Sequence, residues 1–141
     1  MALDVRGVTT LLGVYDMPAS VRFYRDLLGF DVVSHSPHLG GDPDRFHWCW
    51  LRRGGADLML NSNYEFDEER PVPPDAKRNA AHQDTTLYFG CPDVDAAYEE
   101  LRAKGVAVES PRIAPYGMKQ MYLRDPDGYG LCFQWDAKTA E

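Results

Sequence analysis

The feature that most constrains this chain is an internal repeat, because the second half restates the order of apolar, polar and turn residues found in the first. The first copy reads VTTLLGVYDMPASVRFYRDLLGFDVV and continues as FHWCWLRRGGADLMLN. The second copy reads DTTLYFGCPDVDAAYEELRAKGVAVE and continues as MKQMYLRDPDGYGLCFQ. A repeat of this kind indicates two copies of one supersecondary unit that stack to share a core.

Each copy predicts one helix between short strands. Asp16 and Asp93 follow β-rich runs, and an aspartate so placed can accept hydrogen bonds from the free amides of a helix's first turn. Apolar residues recur at helical spacing until Gly29 and Gly105, which suit the left-handed conformation that commonly ends a helix. FDVV and VAVE then read as strands, and two further strands joined by a glycine-containing turn complete each copy.

The predicted order in each copy is therefore βαβββ. Three consecutive strands favour an antiparallel-rich sheet with its helix on one face, which is an α+β arrangement. We expect one domain over residues 1–141, with module one at about 5–62, a Pro-rich linker at about 63–83 and module two at about 84–136. Two tandem modules of this kind would form a curved mixed sheet around a concave pocket.

Charge and hydropathy argue against several classes of function. The chain has 15 Lys and Arg against 22 Asp and Glu, a net charge of −7, and lacks the concentrated positive field that nucleic acid requires. No apolar run approaches the roughly 18 residues of a membrane span, and Asp4 and Arg6 stand where a signal peptide would be apolar. We expect a cytoplasmic protein with no nucleic-acid or membrane partner. Cys49, Cys91 and Cys132 are odd in number and form no C-x-x-C pair, which predicts reduced thiols.

Aromatic and polar residues are predicted to line the concave pocket. Period-two alternation places Phe46, Trp48 and Trp50 on one strand face, and Tyr88 on the same face as Thr86. Buried rings give a flat ligand large contact area and favourable stacking. The residues predicted to line the pocket are Thr9, Trp48, Trp50, Met59, Asn61, Thr86, Tyr88, Tyr122, Cys132 and Gln134.

The duplicated pattern, with DMPASVRFYRDLLGF in one copy and DVDAAYEELRAKGV followed by DPDG in the other, resembles the vicinal oxygen chelate superfamily. This superfamily includes glyoxalase I, the extradiol dioxygenases, the methylmalonyl-CoA epimerases and the bleomycin-resistance proteins. The likeness runs from about Val8 to Gln134, and it is specific for the fold rather than for one reaction.

In the metal-using members, the resemblance implies a divalent ion held by one residue from the first strand and one from the last strand of each copy, usually His, Gln or Glu. When the family's ligand positions are located by their spacing to the capping aspartates and the turn glycines, they correspond in this chain to Thr9, Met59, Thr86 and Cys132. Hydroxyls, a thioether and a lone thiol are poor ligands. We therefore predict neither a metal site nor a cofactor, and expect Cys132 to be a small buried packing residue.

The resemblance thus favours a metal-independent, non-catalytic protein of the bleomycin-resistance type, a homodimer that sequesters a planar or aromatic small molecule. The alternative is an enzyme of the same superfamily, a lyase, isomerase or dioxygenase. Such an enzyme would use a displaced metal site or acid–base groups such as His82, Tyr88 or Glu65. A third hypothesis is an accessory module whose pocket is vestigial.

Overall fold

The computed structural model describes residues 2–64 and 66–138, and Glu65 lies outside the described residues. The chain divides into two compact units. The first comprises the residues up to Arg25 together with Gly29–Arg70, and the second comprises Asp26–Leu28 and the chain from Pro71 onward. Among the described residues, no helix has the length and apolar character needed to cross a membrane.

The first unit contains a four-stranded mixed sheet with the order β1-β4-β3-β2. Its strands are β1 (Thr10–Val14), β2 (Asp31–His35), β3 (Trp48–Arg53) and β4 (Ala56–Ser62). Helix α1 (Met17–Arg22) continues into a π-helical turn at Phe23–Leu27, and a 3-10 turn follows the sheet at Asp67–Glu69. Strand β1 runs parallel to β4, while the other neighbours are antiparallel.

The second unit repeats this topology, with the strand order β5-β8-β7-β6 and a parallel β5–β8 pair. Its strands are β5 (Thr86–Gly90), β6 (Arg112–Ile113), β7 (Met118–Arg124) and β8 (Gly130–Asp136), and its main helix is α3 (Val94–Ala103). Before β5, the predicted linker carries helix α2 (Ala76–Ala81) and a 3-10 turn at His82–Asp84. The predicted α+β class and the two βαβββ modules are confirmed.

Alternate sheet residues form the core of each unit. In the first unit they include Leu12, Val14, Leu58 and Leu60, and in the second Met121, Leu123 and Leu131, all of which are buried. Each such side chain contributes roughly 1.5–3 kcal/mol through burial of apolar surface. The intervening residues of the same strands therefore belong to the opposite sheet faces.

The predicted helix boundaries are also present in the structure. The carboxylates of Asp16 and Asp93 accept hydrogen bonds from the amides of Ala19 and Ala96, at 3.3 and 3.0 Å, so both aspartates cap their helices. After α3, Gly105 has φ +81°, a conformation in which a side chain would be strained. These local signals place the single long helix of the second unit against its sheet.

One predicted strand is wrong. VAVE, residues 106–109, forms no strand, and the corresponding strand β6 is the two-residue segment Arg112–Ile113. A tight turn over 114–117 pairs Ile113 with Lys119 and Arg112 with Gln120, which fixes the register of this hairpin. Pro111 precedes the pair and lacks the amide hydrogen that would continue a ladder.

The DPDG turn between β7 and β8 is fastened to α2. Arg78 Nη1 lies 2.6 Å from Asp127 Oδ1, and Asp127 is only 1% exposed. The imidazole of His82 bonds the Asp127 carbonyl oxygen at 2.6 Å and stacks on Tyr129 with ring centroids 4.0 Å apart. Gly128 has φ +86°, and a Cβ there would lie 2.5 Å from the carbonyl oxygen of Asn79. The turn therefore depends on close backbone approach as well as on a buried ion pair.

We expect Arg78→Ala to lower the free energy of unfolding by about 3 kcal/mol, because it removes the cation beside a buried carboxylate. The matched control is Arg112→Ala, whose pair with Glu109 is 80% and 84% exposed. That substitution should cost less than about 0.5 kcal/mol. Urea unfolding followed by circular dichroism measures both values, and equal effects of the two substitutions would contradict the prediction.

Candidate functional site

The first unit presents an aromatic sheet face. Trp50 pairs with Met59 and Trp48 with Asn61 across β3 and β4, so these four predicted residues share one face. On the other side of β4, Leu11 of β1 pairs with Met59. The two indoles meet edge to face, with ring centroids 6.5 Å apart. Because Leu11 is 49% exposed, the face offers accessible apolar area beside two rings.

An ion pair marks one end of this face. Arg52 Nε lies 2.7 Å from Asp57 Oδ1, and the two residues pair across β3 and β4. The hydrogen bond from Arg52 lowers the pKa of the Asp57 carboxyl below its ordinary value, although burial acts in the opposite direction. The positive charge of Arg52 and the negative charge of Asp57 therefore neutralise each other on this face.

The second unit presents a polar face at the corresponding positions. Cys132 of β8 pairs with Tyr88 of β5 on one side and with Tyr122 of β7 on the other. Gln134 pairs with Gln120 one step along the same face. Four of the predicted site residues, Tyr88, Tyr122, Cys132 and Gln134, are therefore brought together.

Hydrogen bonds join this polar face into one network. The hydroxyls of Tyr88 and Tyr122 are 3.2 Å apart, and Tyr122 donates to Gln120 Oε1 at 3.3 Å. Gln120 Nε2 in turn donates to Gln134 Oε1 and to the Tyr116 hydroxyl, each at 2.8 Å. Gln120 is 8% exposed, whereas Tyr88 is 55% exposed. The network runs from a buried amide to phenols that a ligand can reach.

Hydrogen bonding and burial raise the pKa of two groups on this face, Tyr122 and Cys132. The pKa of Tyr122 is raised, first by its hydrogen bond with Tyr88, then by burial and by Cys132. Burial raises the pKa of the Cys132 thiol, and a hydrogen bond with Tyr122 offsets this only in part. Cys132 is fully buried, as expected for a packing residue. At neutral pH the face therefore presents a thiol and a phenol rather than a thiolate and a phenolate.

Gln120, which is hydrogen-bonded to Tyr116, Tyr122 and Gln134, is not among the ten predicted pocket residues. The pairing makes Tyr122 equivalent to Trp50 and Gln120 equivalent to Trp48, because each faces the same position of the central strand. The available signal was the spacing of two residues between Gln120 and Tyr122, which places both on one strand face.

The strand register also refines the four positions carried over from the resemblance. Leu11 rather than Thr9 lies beside Met59, and Tyr88 rather than Thr86 lies beside Cys132. Thr9 immediately precedes β1, and Thr86 pairs with Gly130 two residues before Cys132.

These side chains do not fit a divalent metal ion. The face of the first unit places leucine beside methionine, and the face of the second places a tyrosine beside a cysteine, so neither pair supplies an imidazole or a carboxylate. Within the described ranges 2–64 and 66–138, no group of three or more His, Cys, Asp or Glu is placed to hold a metal. His82, an alternative acid–base candidate, is engaged with the DPDG turn.

The first unit also contains a cavity of about 440 Å³, and none of the ten predicted pocket residues lines it. Its wall includes Phe46, which was predicted to share a face with Trp48 and Trp50. That prediction is wrong, because the chain bends at His47 before β3 begins. Phe46 is instead buried and stacks on His35 with ring centroids 4.7 Å apart.

The two βαβββ units, one with an aromatic sheet face and one with a polar sheet face, define a glyoxalase-like protein. The model of the Glyoxalase/Bleomycin resistance protein/Dioxygenase superfamily matches residues 8–133, and the chain belongs to this superfamily. The predicted family resemblance is thereby confirmed. A comparison with curated protein sequences gives no significant match.

Solved structures share the fold over nearly the whole chain. A glyoxalase/bleomycin resistance protein/dioxygenase from Nocardioides is 25% identical with a TM-score of 0.68, over 94% of this chain and 84% of that chain. TnmS3, an antibiotic binding protein from Streptomyces sp. CB03234, is 28% identical with a TM-score of 0.59, over 90% and 93% of the two chains. The bleomycin resistance determinant encoded on transposon Tn5 is 19% identical with a TM-score of 0.63, over 94% and 98%, which shows the fold alone.

The thiols should differ in reactivity. Burial raises the pKa of Cys49 to about 12 and also raises that of Cys132, whereas Cys91 is partly exposed. We expect iodoacetamide at pH 8 to alkylate Cys91 in the native protein and all three free cysteines after unfolding. Mass spectrometry of native Cys91→Ser, the control, should show no adduct, and rapid labelling of Cys132 would contradict the neutral, buried thiol.

Proposed function

We propose that this protein binds a planar or aromatic small molecule on its sheet faces, without a metal ion, and sequesters it chemically unchanged. The observation that carries the proposal is the aromatic face of the first unit, where Trp48 and Trp50 of β3 lie beside Asn61 and Met59 of β4. Half-buried rings and a thioether suit a flat apolar surface, because stacking and contact area add to affinity without fixed charges.

The polar face of the second unit supports the same proposal. Tyr88 and Tyr122 present hydroxyls that are linked to a buried amide, so a ligand's carbonyl or hydroxyl group could join an existing network. The pKa of Tyr122 and that of Cys132 are raised, which keeps these two groups protonated at physiological pH. These properties favour ligand orientation over nucleophilic or acid–base chemistry.

The comparison with TnmS3 adds support from a different direction. TnmS3 is described as an antibiotic binding protein, and its 28% identity extends over 90% of this chain. A binding role on this fold is therefore compatible with a sequence at this distance. The Nocardioides structure carries a description that includes enzymes and resistance proteins alike, so it favours neither.

Metal independence is the part of the proposal that separates it from the superfamily's enzymes. It rests on the chemistry of the residues beside Met59 and Cys132, which lack imidazole and carboxylate groups. Purification without chelator, followed by elemental analysis, should find less than stoichiometric metal. One tightly held transition-metal ion per chain would overturn this part of the proposal.

The binding test is a screen of planar compounds that includes neutral anthraquinones and cationic acridines, with affinities measured by calorimetry. For a compound that binds, Trp50→Phe should weaken binding by about fivefold to tenfold, through loss of about 1 kcal/mol of ring contact. The matched control is Trp135→Phe. Trp135 neighbours Gln134 on β8 and so lies on the opposite sheet face. This control should change affinity by less than about twofold.

Equal losses in the two tryptophan variants would place the ligand elsewhere. A screen with no binder would favour a vestigial pocket. Recovery of a chemically altered compound after incubation would favour an enzyme. Chromatography coupled to mass spectrometry distinguishes sequestration from turnover, because only sequestration returns the ligand unchanged.

The homodimer and the cytoplasmic location are also part of this proposal, and the family resemblance and the sequence composition support them. Size-exclusion chromatography with light scattering tests the assembly directly. We expect twice the 16.0 kDa chain mass at micromolar concentration, and a monomer at that concentration would contradict it.

A further inference from the structure

The cavity in the first unit lies apart from the residues of both sheet faces. It opens where β1 and β4 end, at Tyr15 and Ser62, and its walls include the loop that joins β2 to β3. Tyr64, Asp67 and Arg70 line another side. Its volume of about 440 Å³ falls in the range of sites for small ligands.

Two arginines of this cavity are incompletely paired. Arg45 Nη2 lies 3.0 Å from Asp67 Oδ2, but Arg45 Nε is buried and has no hydrogen-bond partner among the described residues. Arg70 approaches Asp16 and Asp67 at 3.7 Å each, which is too long for a good hydrogen bond. A guanidinium normally grips a carboxylate with two parallel hydrogen bonds, and neither arginine does so here.

The other charges in the wall have firm partners. Arg22 pairs with Asp42, whose carboxylate also accepts from the amide of Asp44. The hydrogen bonds from the Asp44 amide and from Arg22 lower the pKa of Asp42. Asp16 caps helix α1 through the amide of Ala19. The cationic groups left to bind an acceptor are therefore those of Arg45 and Arg70.

Asp67 shows what such an acceptor would do. Its two oxygens contact the two arginines, so one carboxylate bridges both guanidinium groups. Asp67 belongs to a single 3-10 turn, and its side chain is 55% exposed. A carboxylate held so loosely can be displaced at little cost, because an exposed ion pair contributes only about 0–1 kcal/mol.

We propose that this cavity binds a small organic carboxylate, which replaces Asp67 between Arg45 and Arg70. The site favours a flat ligand, because the guanidinium of Arg70 lies 5.4 Å from the Tyr15 ring centroid and Tyr64 meets that ring edge to face. The rings form an apolar wall beside the cationic groups. The site shares no residue with the sheet faces, so it is independent of the proposed function.

The probes are benzoate and benzamide, which have the same shape but differ in charge. Binding is followed by calorimetry and by the NMR signals of the arginine Nε–Hε groups. We expect benzoate to shift the signals of Arg45 and Arg70 saturably and benzamide to bind at least about tenfold more weakly. Arg45→Gln and Arg70→Gln should each weaken benzoate by about tenfold.

The decisive variant is Asp67→Asn, which removes the internal competitor and should strengthen benzoate binding by about twofold to fivefold. A variant that merely disturbs the fold would not gain affinity. The matched control, Asp4→Asn, removes an exposed carboxylate paired with Arg6, outside both the cavity and the sheet faces, and should leave benzoate affinity unchanged.

Three results would overturn the proposal. The first is equal affinity for benzamide and benzoate, and the second is an equal shift of the Arg52 signal. The third is an Asp67→Asn protein that binds benzoate no better than the parent protein. A Kd for benzoate above about 10 mM in both proteins counts as this third result.

Discussion

The parallel pairing of the first strand with the last in each unit is the constraint on which the rest of the structure depends. Strand β4 lies between β1 and β3, and β8 lies between β5 and β7. One residue of the central strand therefore has a neighbour on each side, as Met59 has Leu11 and Trp50. Because the pairing joins strands far apart in sequence, neither face exists until the whole unit has formed.

The same backbone register supports two different surfaces. Met59 in the first unit corresponds to Cys132 in the second, and its aliphatic and indole neighbours correspond to two tyrosines. A surface of indole rings and a thioether needs few internal partners, because each indole carries a single N–H donor. A buried amide such as that of Gln120 needs more, since an unsatisfied polar group costs about 1–3 kcal/mol. Polar residues at these positions in the second unit therefore require the side-chain hydrogen-bond network that joins them.

Most of the fold follows from local signals in the sequence. The capping aspartates, the glycines after the helices and the period-two pattern around Trp48 and Trp50 each act over only a few residues. The structure they produce can therefore be predicted without knowing the tertiary contacts. The strand predicted at 106–109 is absent because the turn after Ile113 and the position of Pro111 restrict the strand pairing to Arg112–Ile113. The predicted position of Phe46 was wrong for a similar reason. The chain bends at His47, so the alternation of β3 does not extend back to Phe46, and no residue pattern in the sequence indicates this bend.

The candidate sites were predictable to different degrees. The faces could be found because strand alternation and the repeat together determine which side chains are neighbours. The cavity in the first unit could not be predicted, because its two arginines come from the loop before β3 and from the segment after β4. Arg45 and Arg70 are 25 positions apart (70 − 45), and only tertiary structure joins them through Asp67.

The placement of charge separates the two kinds of site physically. The polar face of the second unit is built from phenols, amides and a thiol, so its contacts with a ligand should vary little with ionic strength. The attraction of the Arg45 and Arg70 guanidinium groups for an anion is weakened as salt shortens the Debye length from about 30 Å at 0.01 M to about 8 Å at 0.15 M. Salt titration thus distinguishes a ligand held by the sheet faces from one held by the cavity, because only the second loses affinity steadily as the ionic strength rises.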